Sequence, residues 1–352
     1  MSASLLLLPL NRGKSFYSPL FYYRKILISF LVVALWVYLL IPNTLFAQQE
    51  KQQKLYDDLF SVSFPTEKDG WACGRWGTIL HTSDGGKTWV RQNTGVDYSL
   101  SSVFFVDSKH GWAVGDVGTI IHTQDGGKNW DKQKSPVSFV LMDVYFVNDM
   151  KGWIVTEQTH ILCTDNGGKT WGIQFKDKDF ILKAISFCDQ LNGWAVGEYG
   201  YIYHTKNGGV TWEKQAGKFE ISATTGELEG GNFLFDIVAI DSKTAWAVGI
   251  ESYVIKTIDG GMTWQEVKLG VPKTHLFCVY ADKTGRILIG GKGTFLSSTD
   301  KGRNWQTPLF NPHITYGWVY GVSRRSDSSF VAVGKSGAVY FSSSTSWQGV
   351  SY

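Results

Sequence analysis

The chain has 352 residues, of which 15% are aromatic, 39 are glycine and only 8 are proline. This composition argues against a disordered chain and is typical of many short strands joined by glycine turns. The whole-chain net charge of +3 comes from residues 1–47, which hold four basic and no acidic residues, and the remainder carries 30 basic against 31 acidic residues. That balance excludes a broad basic footprint for nucleic acid.

The N-terminal segment is typical of a targeting signal. Four basic residues precede an apolar run over 26–41, and Ala47 offers a small residue for cleavage before Gln48. A basic region, an apolar core and a small-residue site describe a secretory signal peptide. An uncleaved anchor is the alternative, in which case this segment is the only contact with a membrane. We expect an exported protein, located in the periplasm, on the cell surface or outside the cell, with residues 1–47 as signal or anchor and 48–58 as linker.

Seven copies of one motif that ends in tryptophan follow, from HTSDGGKTW at Trp89 to a degenerate copy, FSSSTSW, at Trp347. The steps between the tryptophans are 41, 41, 41, 52, 41 and 42 residues. A fixed period of about 40 residues signals a propeller or another repeat architecture.

Each period predicts four strands, named A to D. In the second repeat an apolar run from Leu100 gives A, GWAVG at 111–115 gives B, residues 119–123 give C, and Trp130 opens D. Four antiparallel strands joined by tight turns make one propeller blade. We therefore predict an all-β fold, a seven-bladed β-propeller of four-stranded antiparallel blades over 59–352. The extra residues of the long step fall between strand D of blade 4 and strand A of blade 5.

The motif T-x-[DN]-x-G-x-[TN]-W resembles the Asp-box, or BNR, repeat of sialidase-like propellers. The side-chain oxygen of its Asp or Asn can accept hydrogen bonds from backbone N–H groups two or three residues further along the chain. Its tryptophan buries a ring between blades. Asparagine in two of six places argues against calcium, which favours charged ligands, so we expect neither metal nor cofactor. We assign structural roles to Asp84, Trp89, Asp125, Trp130, Asn166, Trp171, Asn207, Trp212, Asp259, Trp264, Asp300 and Trp305.

Two further sets recur inside the strands. Three histidines share one strand C position on different blades, too far apart for one metal, and predict packing: His81, His122 and His204. Four cysteines lie in apolar stretches, which favours buried free thiols, although export permits disulfides: Cys73, Cys163, Cys188 and Cys278.

The pairing of Asp-boxes with GWAVG-x-x-G strands, as in GWAVGDVGTIIHTQDGGKNW at 111–130, resembles a narrower family. These are the propellers related to the photosystem II stability and assembly factor, and the resemblance covers residues 59–352. It implies a non-enzymatic, exported propeller that helps to build or stabilise a partner complex. Photosynthetic members carry an arginine-bearing surface, whereas the six arginines after residue 47 are scattered over different turns here.

Topology separates two faces of such a propeller. B–C turns and D-to-A connections share one face, which we call the B–C face, whereas A–B turns and Asp-boxes share the other. Acidic and aromatic residues recur on the B–C face at 41-residue steps in blades 2 to 4, although repeats can also copy residues that only pack the blade tops. We predict partner binding at Tyr98, Phe139, Phe180, Asp116, Glu157, Glu198, Tyr199, Arg75, Trp76 and Lys335.

An enzymatic alternative rests on carboxylates. A sialidase needs three arginines around one carboxylate, and only Arg75 is well placed on the B–C face. Glu157 and Glu198 on adjacent blades could reach the roughly 6.5–9.5 Å spacing of an inverting glycosidase. We therefore expect an exported, non-enzymatic binding or assembly propeller whose partner is a protein complex, a cell-envelope component or a glycan. The alternative is a carbohydrate-binding or glycoside-hydrolase propeller.

Overall fold

The computed structural model describes residues 57–178, 180–224, 226, 228–326, 328–342 and 346–350. The predicted signal or anchor segment and residues 48–56 of the predicted linker lie outside this range. The described residues form strands and a few single 3₁₀ turns, and none of their helical segments has the length and apolar character needed to cross a membrane.

The strands are numbered in chain order and grouped into blades. Blades 1 and 2 hold β1 to β8, which are Leu59–Ser63, Gly70–Gly74, Ile79–Thr82, Val90–Arg91, Leu100–Phe105, Gly111–Gly115, Ile120–Thr123 and Asp131–Gln133. Blades 3 and 4 hold β9 to β16, which are Leu141–Phe146, Gly152–Thr156, His160–Thr164, Gly172–Lys176, Leu182–Phe187, Gly193–Gly197, Ile202–Thr205 and Glu213–Ala216.

The insertion and the last three blades complete the chain. The insertion forms a hairpin of β17 and β18, Phe219–Ile221 and Leu228–Gly230. Blade 5 holds β19 to β22, which are Leu234–Ala239, Ala245–Gly249, Val254–Thr257 and Gln265–Glu266. Blade 6 holds β23 to β25, which are Leu276–Ala281, Ile287–Gly291 and Phe295–Ser298. Blade 7 holds β26 to β30, which are Leu309–Asn311, Val319–Ser326, Ser329–Gly334, Val339–Ser342 and Ser346–Gly349.

The structure confirms the predicted seven-bladed, all-β propeller. The blades are antiparallel meanders, and strands A of neighbouring blades contact each other around a central channel. The GWAVG-type strands B are buried at every position, whereas the short strands D are mostly exposed. Burial therefore decreases from the middle of each blade towards its outer edge.

The hydrophobic core of the described chain consists of seven clusters, one at each blade-to-blade interface. Each cluster includes the box tryptophan of one blade packed against the preceding blade. Trp89, Trp171 and Trp212 are buried, whereas the rings of Trp130 and Trp264 are half-buried. Each blade thus buries its apolar surface only together with its neighbours, as expected of a repeat fold.

An aromatic stack repeats at the interfaces of the first blades. The strand B tryptophan Trp112 lies between His122 of its own blade, at 4.7 Å, and Phe146 of the next blade, at 3.6 Å between ring centres. The Trp171 ring meets Phe146 edge-on at 5.8 Å. The recurring histidines therefore serve in packing, and burial lowers the pKa of His122 to about 4.

A recurring glutamine, not recognised in the sequence, links blades 1 to 5. It stands three residues after the box tryptophan, at positions 92, 133, 174 and 215. Gln133 donates to the carbonyl oxygen of Gly167 in the next blade's Asp-box (2.9 Å) and accepts from the Trp171 indole (3.0 Å). One side chain thus satisfies two polar groups of its neighbour, and buried polar groups of this kind are costly when left unpaired.

The Asp or Asn of each Asp-box forms hydrogen bonds within its own motif. Asp84 accepts from the backbone N–H of Lys87 (3.0 Å) and Thr88 (2.9 Å), three and four residues on rather than two or three. Asn166 takes the same place and accepts from the N–H of Thr170 at 3.0 Å. Because an amide oxygen replaces the carboxylate without loss of this bond, the box needs an acceptor and not a charge.

Blades 6 and 7 depart from four strands. Strand β25 meets the segment after it only through one bridge between Ser297 and Gln306, and β26 instead pairs in parallel with β30 of blade 7. The cause is Pro308, which stands where blades 1 to 4 have glutamine. In blade 1 the N–H of Gln92 donates to Ile79 at 2.8 Å, but proline has no N–H, so strand D cannot continue.

The ring closes by packing, because strand A of blade 1 and strand D of blade 7 belong to separate sheets. The N–H of Phe64 donates to Ser323 Oγ (3.1 Å), and Arg325 donates to the carbonyl oxygen of Gly85 (3.2 Å). All four cysteines are free thiols, so disulfides do not contribute to this closure.

Candidate functional site

One hydrogen bond recurs in all seven blades and builds the B–C face. The first residue of each B–C turn donates its N–H to the carbonyl oxygen of the residue that precedes strand A, at 2.9 to 3.1 Å. The seven donor–acceptor pairs are Arg75–Asp58, Asp116–Ser99, Glu157–Val140, Glu198–Ile181, Ile250–Phe233, Lys292–His275 and Lys335–Trp318. The turn and the D-to-A connection of each blade therefore form one rigid unit.

The side chains of these turn residues divide the face by charge. Blades 6, 7 and 1 carry the basic arc, defined as Lys292, Lys335 and Arg75, and blades 2 to 4 carry the acidic arc, defined as Asp116, Glu157 and Glu198. Ile250 of blade 5 separates them on one side. Sequence reasoning missed Lys292, although counting from ILIGG to the next residue would have found it.

Two members of the acidic arc accept hydrogen bonds from backbone N–H groups. Glu157 Oε1 accepts from the N–H of Val140 (3.0 Å), and Glu198 Oε2 accepts from the N–H of Ile181 (3.2 Å). Both side chains are half-buried, as is Asp116. The two glutamates therefore hold the start of strand A in their own blades.

The predicted aromatics differ in their surroundings. Tyr98 is 52% exposed, whereas Phe139 is half-buried with its ring 5.1 Å from that of His160. Phe180 packs against three aromatic rings at 4.9 to 5.1 Å, those of Tyr199, Tyr201 and Phe219. Phe219 begins the inserted hairpin, so Phe180 and Tyr199 tie that hairpin to blade 4.

Three other predicted residues, Arg75, Trp76 and Lys335, lie in the B–C turns of blades 1 and 7. Arg75 Nε donates to Asp58 Oδ2 (3.1 Å), and its guanidinium lies 5.7 Å from the centre of the Phe60 ring. Trp76 is 64% exposed and has a φ of +55°. Lys335 is exposed, with its ammonium 5.5 Å from the centre of the Trp318 ring.

Sequence reasoning missed an aromatic arc at the mouth of the central channel, defined as Phe60, Phe235, Phe277 and Tyr320. Adjacent rings are 5.3 to 5.6 Å apart, and all four are half-buried. They line a cavity of about 400 Å³ together with Ser99, Ser101, Asp116 and Lys183. This cavity opens between the B–C turns, and its aromatic wall lies on the side of the basic arc.

A β-bulge explains why these side chains reach the channel. The pairing of strands A and B shifts register around Phe60, Phe235, Phe277 and Tyr320, each of which lacks a partner in strand B. A bulge adds one residue and re-aims its side chain. The same place in blade 4 holds Lys183, which therefore enters the channel opposite the aromatic arc.

Ionisable side chains lie deeper in the channel wall. Asp236 accepts from the N–H groups of Ile237 (2.8 Å) and Val279 (2.7 Å), and Asp143 accepts from Ser102 Oγ at 2.7 Å. Burial raises the pKa of Asp236 to about 8 despite these bonds, and it also raises the pKa of Asp143. Burial lowers the pKa of Lys183, against the attraction of both carboxylates.

We expect Asp236→Asn to flatten part of the pH dependence of stability. The raised pKa of about 8 means that the folded state holds this proton more tightly than the unfolded chain, so the stabilisation is complete below the unfolded value and is lost as pH rises through 8. Relative to wild type, the variant should gain on the order of 1–2 kcal/mol between pH 6 and 8. Urea unfolding at both pH values measures this gain.

Asp241→Asn is the matched control for this titration. Partial burial by itself would raise the pKa of Asp241, but the hydrogen bonds that it accepts, including those from the N–H groups of Lys243 and Thr244, both at 2.8 Å, together hold its pKa below the usual value. Its contribution changes only in acid, so the slope between pH 6 and 8 should stay as in wild type. An Asp236→Asn variant whose difference from wild type is equal at both pH values would contradict the expectation.

The fold and its repeated boxes define the class of this protein as a seven-bladed Asp-box propeller. The family model described as photosynthesis system II assembly factor YCF48 matches residues 46–135, 128–220 and 176–350. These ranges cover well over half of the chain, and the protein belongs to this family. The resemblance noted in the sequence is therefore confirmed.

Solved structures share the fold at low identity. The structure described as YCF48 bound to D1 peptide is 19% identical with a TM-score of 0.66, covering 81% of this chain and 93% of that one. YCF48 from Cyanidioschyzon merolae is 18% identical with a TM-score of 0.64, covering 81% and 95%. A GH74 enzyme from Niastella koreensis is 13% identical with a TM-score of 0.65, covering 84% and 54%. No curated protein matches the sequence.

Proposed function

We propose that the protein is a non-enzymatic binding or assembly propeller that docks a protein partner on its B–C face. The aromatic arc carries this proposal, because four half-buried rings open into one cavity at the mouth of the channel. Interface energy concentrates in a few aromatic and arginine side chains that fill or form such pockets. Membership of the assembly factor family, and a similar fold whose structure holds a D1 peptide, support a protein as the partner.

Exposed aromatic side chains lie on the same face, in its turns and connections. Tyr316, in the connection before strand A of blade 7, is 92% exposed, and Trp76 and Tyr98 are 64% and 52% exposed. Large apolar side chains in water are a recognised mark of interaction sites when they cluster. The predicted contacts around Tyr98, Phe139 and the acidic arc remain part of this proposal, on the opposite side of the mouth.

The backbone bonds of Glu157 and Glu198 support binding rather than hydrolysis. A general acid or base must be free to reach the substrate, whereas these oxygens hold the strand starts of their own blades. A glycan-hydrolysis screen of the purified protein tests this part. Activity that is lost in both Glu157→Gln and Glu198→Gln would replace the binding proposal with the glycosidase alternative.

We also propose that residues 1–47 direct export, on the basis of their basic start, apolar run and small residue before Gln48. N-terminal sequencing of the native protein tests this, with a first residue near Gln48 as the expected result. A chain that retains its first residue in the membrane fraction would favour the anchor, and one in the cytoplasm would overturn export.

Site-specific photo-crosslinking in the native host tests the docking face. A benzophenone side chain at position 316 should crosslink a defined partner. The same group at position 262, an 81% exposed methionine in the Asp-box of blade 5, should not, because it lies on the opposite face. Crosslinks of equal yield from both positions would contradict the proposed face.

The identified partner then allows an affinity measurement. We expect Phe277→Ala together with Tyr320→Ala to weaken its binding at least tenfold, because both rings line the mouth. Since the rings are half-buried, thermal unfolding of the double variant must show that the propeller is still folded. Unchanged affinity in a folded variant would remove the aromatic arc from the site.

A further inference from the structure

Two lysines of the basic arc share one tryptophan ring. The ammonium groups of Lys292 and Lys335 lie 5.6 and 5.5 Å from the centre of the Trp318 ring. They come from the B–C turns of blades 6 and 7, whereas Trp318 precedes strand A of blade 7. An ammonium close to an indole is attracted by the ring, so one ring gathers two positive charges.

Backbone bonds fix this arrangement. The N–H of Lys335 donates to the carbonyl oxygen of Trp318 (3.0 Å), and Lys292 forms an isolated β-bridge with Trp318. The N–H of Gly293 donates to Gly317 at 2.8 Å. All three side chains therefore start from positions that the fold holds in place, as a preorganised binding site requires.

The nearby carboxylates are occupied elsewhere. Asp58 pairs with Arg75 and accepts from the N–H of Ser336 at 2.8 Å. Glu251 pairs with Lys273 at 2.7 Å. In the part of the chain that the structure describes, no carboxylate lies within 4.0 Å of either lysine over Trp318. Two exposed cations on one ring thus lack an anion of their own.

The cluster is continuous with the aromatic arc. The Trp318 ring stacks on Phe277 at 5.5 Å with an interplanar angle of 26°, and it lies 5.7 Å from Tyr320. A ligand that places an apolar side chain among those rings has its neighbouring residue close to Lys292 and Lys335. The charge at that point selects a negatively charged neighbour.

We propose that Lys292, Trp318 and Lys335 form a clamp for a carboxylate side chain of the docked partner, next to an apolar side chain that enters the channel mouth. This proposal rests on the proposed function and names the chemistry of its partner, an extended acidic peptide segment. Charge complementarity and continuity with the aromatic arc are the grounds for this occupant. Carboxylates at such a site contribute specificity and association rate, and their effect falls with salt.

Two capped synthetic peptides test the clamp. One has a leucine followed by two glutamates, and the other has a leucine followed by two glutamines of nearly equal shape. Binding is followed through the indole N–H signal of Trp318 in protein carrying ¹⁵N-labelled tryptophan, assigned with Trp318→Phe. We expect the glutamate peptide to bind about tenfold more tightly at low salt, and this ratio to fall as salt is added.

Two double variants distinguish binding at the clamp from a general effect of removing two positive charges. Lys292→Gln with Lys335→Gln should reduce the ratio to near one. Lys87→Gln with Lys128→Gln, two exposed lysines in the Asp-boxes of the opposite face, should leave it unchanged. Equal binding of both peptides by wild type, an unchanged ratio in the first variant, or inorganic phosphate displacing the glutamate peptide at equal concentration would each overturn the acidic-peptide clamp.

The native partner distinguishes failure of the clamp from failure of the proposed function. If Lys292→Gln with Lys335→Gln binds the partner like wild type while Phe277→Ala with Tyr320→Ala does not, the clamp is wrong and the docking face stands. If neither pair of substitutions changes the affinity, both proposals are wrong. A loss of affinity in both pairs, with reduced salt dependence in the lysine variant, is the result expected of the clamp.

Discussion

Replacing Trp112 with alanine is expected to lower the free energy of unfolding by about 3–5 kcal/mol, the cost of removing a large buried aromatic side chain. The ring is fully buried between His122 and Phe146, and its indole N–H donates to the carbonyl oxygen of Gly167 at 3.2 Å. Alanine would leave a cavity between blades 2 and 3 and would remove one of the two hydrogen bonds to the Gly167 oxygen, the other of which comes from Gln133. Urea unfolding gives the free energy directly.

Two less buried tryptophans provide a comparison for this loss in the free energy of unfolding. Trp130 is half-buried, with its ring 5.9 Å from that of Phe105, so its replacement should cost about 2–3 kcal/mol. Trp76 is 64% exposed, and Trp76→Ala should change stability by no more than about 0.5 kcal/mol, as is usual for surface substitutions. Equal losses from Trp112→Ala and Trp76→Ala would show that the interface stack does not stabilise the propeller.

The repeat made the fold predictable from the sequence. The step of 41 residues between box tryptophans, together with four strand-like runs in each step, defined seven units that cannot bury their apolar surface alone. The Trp112 stack follows the same repeat, because its partner Phe146 is the equivalent of Phe105, which stacks on Trp71 of the preceding blade at the same 3.6 Å. The prediction of a fourth strand was wrong for blade 6, because Pro308 lacks the N–H that this strand would need.

The candidate site was less predictable for a geometric reason. Alternation along strand A assigns residues to the two faces of a blade, and a β-bulge breaks that alternation. Phe277 and Tyr320, which no sequence pattern singled out, reach the channel mouth in the structure for this reason. Conversely, Phe180 reads as a surface aromatic but packs against the inserted hairpin, whose course the sequence does not reveal.

Lys292 and Trp318 show a second limit. Each stands near a turn without any box motif to mark it, and only the bridge between their backbones brings them together. The contact joins two connections of different blades. Since each residue is unremarkable within its own repeat, the repeat alone does not predict the cluster.

Replacing Gly77 with alanine should be among the most damaging small substitutions on the B–C face. Gly77 closes the turn that displays Arg75 and Trp76, with a φ of +66°, and a Cβ there would lie 1.8 Å from the carbonyl oxygen of Val96. Left-handed φ costs a residue with a Cβ about 1–2 kcal/mol, and forcing the backbone apart adds about 1–3 kcal/mol. We expect a total loss of about 3 kcal/mol or more, measured by urea unfolding.

Gly95 offers a control that isolates the collision. It lies in the same blade with a φ of +65°, but a Cβ there would meet nothing within 4 Å. Gly95→Ala carries only the backbone cost, partly offset by the reduced freedom of the unfolded chain, and should lose at most about 1 kcal/mol. Similar losses in both variants would mean that backbone conformation alone governs the turn. A much larger loss at Gly77 would show that the connection before blade 2 rests directly on the turn, and that this contact holds Arg75 and Trp76 at the edge of the B–C face.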